Sequence, residues 1–90
     1  MGLRQTFQFA AQSETLVEEF LRELGAVADL DEERESFLFR NKDGEPPFEF
    51  HCIIVRGGID AHRSGEYFKF LGMFIEGLTG EFGSVMVEDA

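Results

Sequence analysis

Apolar and polar residues alternate from Leu3 to Ala10, with Leu3, Phe7 and Phe9 on one side and Arg4, Thr6 and Gln8 on the other. A period of two marks a strand with one face in a core. The period then changes. Leu16, Val17, Phe20, Leu21 and Leu24 recur at helical spacing, with Glu14, Glu18, Glu19 and Glu23 mainly opposite. This predicts an amphipathic helix over residues 14–25. Ser13 or Thr15 can cap its start, Thr15-Leu-Val-Glu18 matches a capping box, and Gly25 suits its end. Asp29 to Glu35 reads as an acidic connection, after which Glu35 to Asn41 alternates again with Phe37 and Phe39 facing one way. Asn41-Lys-Asp-Gly44 and Pro46-Pro47 signal a turn. Phe48 to Arg56 is the strongest strand pattern in the chain. Gly57-Gly58 reads as a two-residue hairpin loop, and Ile59 to Arg63 returns as a short strand. Ser64 can cap a second helix whose stripe is Tyr67, Phe68, Leu71, Phe74, Ile75 and Leu78, with Gly80 at its stop. Gly83 to Glu88 completes the pattern as a last strand, with Val85 and Val87 on one face.

The order is β-α-β-β-β-α-β. A helix joins two strands twice, with a meander between. This predicts a single α+β domain over residues 1–90, built as a two-layer sandwich: a ferredoxin-like βαβ(ββ)αβ sheet with two helices on one face. The expected core is Phe9, Leu16, Phe20, Leu24, Phe37, Phe39, Phe50, Ile54, Phe68, Leu71, Phe74, Ile75 and Val87. With Gly57-Gly58 as the loop, Arg56 pairs with Ile59, Val55 with Asp60, Ile54 with Ala61 and Ile53 with His62. Paired residues share a face. Phe48, Phe50, Cys52, Ile54, Ala61 and Arg63 then lie under the helices. Glu49, His51, Ile53, Val55, Asp60 and His62 lie on the open face, where His51 and His62 are diagonal neighbours. Ile53 and Val55 are expected to face solvent there and to mark a contact with a second copy or a partner.

Composition narrows the function. The 90 residues carry 8 Lys+Arg against 18 Asp+Glu, a formal net charge of −10. The basic residues are scattered, which argues against nucleic acid, because phosphate contacts need clustered cations. No apolar run reaches the roughly 20 residues of a membrane span, and residues 1–10 lack the apolar region of a signal peptide. The single cysteine excludes an internal disulfide. Together these features suit a cytoplasmic protein.

Candidate chemistry is sparse. His51, His62 and Asp60 share the open face and are ligand types that zinc accepts, but no HExxH or paired CxxC accompanies them, and no metal is expected. Cys52 points to the other face, away from both imidazoles, so it lacks the adjacent base a nucleophile requires. The glycines form neither GxGxxG nor GxxxxGK[ST]. Glu88 and Asp89 point to opposite faces, which removes a paired-carboxylate site. No cofactor and no enzymatic activity are expected. The run Asp31, Glu32, Glu33 and Glu35 instead offers a docking surface for a basic partner.

Residues 67–89 carry a resemblance. Tyr67-Phe-Lys-Phe-Leu-Gly-Met-Phe-Ile-Glu-Gly-Leu-Thr-Gly-Glu-Phe-Gly83 followed by Ser84-Val-Met-Val-Glu-Asp89 resembles a segment of small bacterial immunity proteins of polymorphic toxin systems, the immunity protein 7 type. Ile75-Glu76, Gly80, Gly83 and Glu88-Asp89 are the matching positions. The chain departs from that family in Phe82, where the turn has Tyr, and in lacking Trp. The resemblance implies a toxin-neutralising protein. The expected partner is a basic protein; the alternative is a stand-alone ferredoxin-like domain that dimerises or binds a small ligand on its open sheet face. The expected contact residues are Asp31, Glu32, Glu33, Glu35, His51, Ile53, Val55, Asp60 and His62.

Overall fold

The computed structural model describes residues 3–34, 36–42 and 46–89. Its elements are β1 (Leu3–Gln8), α1 (Glu14–Glu23) running into a 3-10 turn (Leu24–Ala26), β2 (Asp29–Glu33), β3 (Ser36–Arg40), β4 (Phe48–Val55), β5 (Gly58–Gly65), α2 (Phe68–Phe82) and β6 (Met86–Asp89). The strands form one six-stranded sheet in the order β2-β3-β4-β5-β1-β6, and every neighbouring pair is antiparallel. Both helices cover one face. The fold is an α+β two-layer sandwich.

Alternation builds the core from the sheet side. Phe7, Phe37, Phe39 and Phe50 are fully buried, each on an inward position of its strand. The helices supply Val17, Phe20 and Leu21 from α1 and Phe70, Phe74 and Leu78 from α2. The Phe74 ring sits 5.1 Å from Phe7, 5.0 Å from Phe50 and 5.9 Å from Phe20. Phe70 lies 4.8 Å from Phe39 and 5.0 Å from Phe50. Offset and edge-on aromatic pairs at these distances add stabilisation beyond the buried area.

Several expectations change. The acidic connection is a strand: Leu30 pairs with Phe39, Asp31 with Leu38 and Glu32 with Phe37. Asp and Glu are poor strand formers, so the neighbouring β3 makes this segment extended. The hairpin loop is Arg56-Gly57, and the pairs are Val55 with Gly58, Ile54 with Ile59, Ile53 with Asp60 and Cys52 with Ala61. Gly57 takes the left-handed turn conformation. Gly58 belongs to the strand, because β1 passes so close that a Cβ there would lie 1.9 Å from the Phe7 carbonyl oxygen. Relative to the expected register, each residue's partner moves by two. An even slip preserves every face while replacing every partner.

The helix assignments shift too. Ser13 caps α1 by accepting a hydrogen bond from the Leu16 amide, and Gly25 falls inside the 3-10 turn. Ser64 lies in β5 and does not cap α2, whose N-cap is Tyr67 with no side-chain bond. The helix runs past Gly80 to Phe82. Four expected core residues are outside: Leu16 (40% exposed), Phe68 (67%), Ile75 (37%) and Val87 (45%). Phe70, and not Phe68 or Ile75, takes the inward place beside Phe74 and Leu78. Of the expected turn at residues 41–44, Asp43 and Gly44 lie outside the described residues.

Candidate partner-binding face

The face away from the helices is built by the polar half of each strand's alternation. Register arranges it in rows that cross the sheet. One row reads Asp31, Leu38, His51, His62, Arg4, and the next reads Glu33, Ser36, Ile53, Asp60, Thr6, Glu88. Asp31 and Glu33 therefore share this face with His51, Ile53, Asp60 and His62. Val55 continues the face toward the hairpin. Ile53 and Val55 are half-buried, and His62 is exposed.

His51 and His62 are direct cross-strand partners, not diagonal neighbours, with ring centroids 6.5 Å apart. His51 Nε2 shares a hydrogen bond with the Ser36 hydroxyl. Asp60 is held by donors from β1: Thr6 Oγ1 donates at 2.5 Å and Arg4 Nη2 at 2.8 Å. The Thr6 bond first, then the Arg4 bond and charge, hold the Asp60 carboxyl below the usual carboxylate range. Asp60 is thus turned to Arg4 and Thr6. Among the described residues no group of three His, Cys, Asp or Glu side chains converges as a metal site.

At the centre of the face lies a concavity of about 650 Å³, lined in part by Leu38, His51, Ile53, His62, Arg4 and Arg40. Arg40 pairs with Glu49 at 3.3 Å. Leu38, Arg4 and Arg40 were absent from the expected contact set. The alternation of Phe37 and Phe39 implies an outward Leu38, but only the strand order sets it beside the histidines.

The acidic run divides by parity. Glu32 faces the helix layer, where the Arg22 guanidinium donates to both of its oxygens, with Nε at 3.0 Å and Nη2 at 2.9 Å. This hydrogen bonding lowers the Glu32 pKa, its largest cause, and raises that of Arg22. Glu18 and Glu19 of α1 also act on Arg22 electrostatically. Asp31 and Glu33 remain exposed on the open face. Glu35 lies outside the described residues.

Two further groups sit on the helix side. Cys52 is completely buried, and burial pushes its thiol pKa up, so a reactive thiolate is disfavoured there. Arg63 is 6% exposed; its guanidinium donates to the Gln5 side chain and lies 5.0 Å from the centre of the Tyr67 ring. Gln5 in turn donates to Asp89 at 2.9 Å.

No protein-family model, curated protein or solved structure matches this chain. No helix among the described residues is long and apolar enough to cross a membrane.

Proposed function

We propose that this chain works by binding a basic protein, as an immunity protein that neutralises a toxin in the cytoplasm. The observation that supports this most directly is the carboxylate-lined edge of the sheet. β2 presents Asp31 and Glu33 on one face and Glu32 on the other, beside Glu18 and Glu19 of α1, in a chain of net charge −10. Toxins that cleave nucleic acid need a cationic surface for a polyanion, and an acidic antidote is its electrostatic complement. The resemblance at residues 67–89 points the same way. Catalysis is not favoured, because the Ser36–His51 contact has no carboxylate bonded to His51 among the described residues and Cys52 is sealed in the core.

The test is a partner captured from the native host and its association kinetics between about 0.05 and 0.5 M salt, across which the Debye length falls severalfold. The expected partner is basic, and its on-rate falls steeply with salt. Asp31→Asn with Glu33→Gln should lower that on-rate more than it raises the off-rate. A partner whose kinetics ignore both salt and the double substitution would remove the electrostatic mechanism.

A second reading is favoured by the central concavity. The split β5-α2-β6 unit, with β1 between its strands, supports a ferredoxin-like sandwich enlarged by the β2–β3 hairpin. As a stand-alone domain of that kind, the chain would take a small ligand or a second copy on its open face. Ile53→Asp should then weaken that association and leave the fold intact. Association unchanged by this substitution excludes the open face as the contact.

A further inference from the structure

The solvent side of α2 carries large apolar residues. Phe68, Met73 and Ile75 are 67%, 41% and 37% exposed. Between them stands Gly72, and further along Gly80, both exposed and each with open space where a Cβ would be. A glycine inside a helix destabilises it by about 0.5–1 kcal/mol relative to alanine, and a close neighbour is one reason for its presence. Gly77 has such a neighbour: a Cβ there would approach Phe20 to 2.9 Å. Among the described residues nothing plays that part for Gly72 or Gly80.

At about 100° per residue, Lys69, Gly72, Met73, Glu76 and Gly80 fall within an arc of about 100°. No ion pair among the described residues involves Lys69 or Glu76. The pattern is self-complementary. A two-fold axis passing between Gly72 and Met73, with two copies of α2 antiparallel, sets Lys69 against the partner's Glu76 and Glu76 against the partner's Lys69. The same axis sets Met73 against the partner's Gly72, a side chain over a flat site, in both directions.

We propose that this side of α2 is a self-association surface and that its occupant is α2 of a second copy, paired antiparallel. The contact is independent of the open sheet face and of the β2 edge, which lie elsewhere on the molecule. A single helix pair covers less than a standard interface of about 1,600 Å², so the dimer is weak and concentration-dependent.

Sedimentation equilibrium of the full chain, from about 10 μM to about 1 mM, tests it. The wild type should show a reversible monomer–dimer equilibrium. Lys69→Glu should raise the dissociation constant roughly tenfold, since the symmetric contact contains the pair twice and like charges replace it. Lys69→Glu combined with Glu76→Lys should restore the wild-type constant. The two positions are seven residues apart in one helix and do not meet within a monomer, so this rescue reports contact between copies. Gly72→Gln should abolish dimerisation while thermal unfolding stays cooperative, which separates the interface from the fold. A monomer at every concentration, a double variant no better than Lys69→Glu, or a dimer broken by Ile53→Asp and untouched by Gly72→Gln would overturn the proposal.

Discussion

At Asp60, two donors from the neighbouring strand converge on one carboxylate, and this local arrangement links pairing register to acid stability. Thr6 and Arg4 reach Asp60 because β1 lies beside β5 with Thr6 opposite Asp60 and Arg4 opposite His62. Both donors favour the charged form, so the folded-state pKa lies below that of the unfolded chain. The native state then binds fewer protons than the unfolded state through the ordinary carboxylate range. The stabilisation is present at neutral pH and is lost as pH falls through that range toward the native pKa. Urea midpoints should therefore fall more steeply below pH ~4 in the wild type than in Asp60→Asn. Parallel curves would show that Asp60 contributes nothing to acid lability.

In the elements, burial and sequence pattern part company most clearly along α2. Phe70 is 2% exposed against Phe39, Phe48 and Phe50, whereas Phe68, two residues earlier, is 67% exposed and stacks on Tyr67. Truncating a buried phenylalanine costs about 3–5 kcal/mol, a large share of a small domain's stability. Phe70→Ala and Phe74→Ala should each lower the unfolding midpoint sharply or abolish cooperative unfolding. Phe68→Ala should change stability by no more than about 0.5 kcal/mol. Chemical denaturation of the three variants decides it, and equal losses at Phe68 and Phe70 would contradict the inward placement of Phe70 and the outward placement of Phe68.

For the whole molecule, net charge separates the two proposed contacts. Each copy carries −10, so two copies repel at long range while a basic partner is attracted. Salt screens both effects. Raising it from about 0.05 to 0.5 M should increase the dimer fraction and slow capture of the basic partner. The same titration thus moves the two associations in opposite directions, read by sedimentation for one and stopped-flow kinetics for the other. If both weaken together, the α2 contact is dominated by its Lys69–Glu76 pairs and not by the apolar and glycine surface between them.

Alternation is a property of a chain, so wherever it was strong the sequence by itself determined the element and its faces. The pattern sets Phe37, Phe39, Phe50 and Ile54 inward, and they are buried; it sets His51, Ile53, Asp60 and His62 on the opposite face, and they lie there. What alternation cannot encode is the partner, because a slip of two residues leaves each face unchanged. The position of β1, a close approach that admits only glycine at residue 58, decided that His51 would meet His62. The acidic strand β2 carries almost no apolar signal and exists through pairing with β3, so its pattern alone reads as a loop. In α2, Phe68-Lys-Phe-Leu-Gly-Met-Phe-Ile75 is apolar around most of its circumference, and periodicity cannot choose among several apolar faces. The sheet chose, by offering Phe7, Phe39 and Phe50 to Phe70 and Phe74, and it left Phe68, Met73 and Ile75 in solvent.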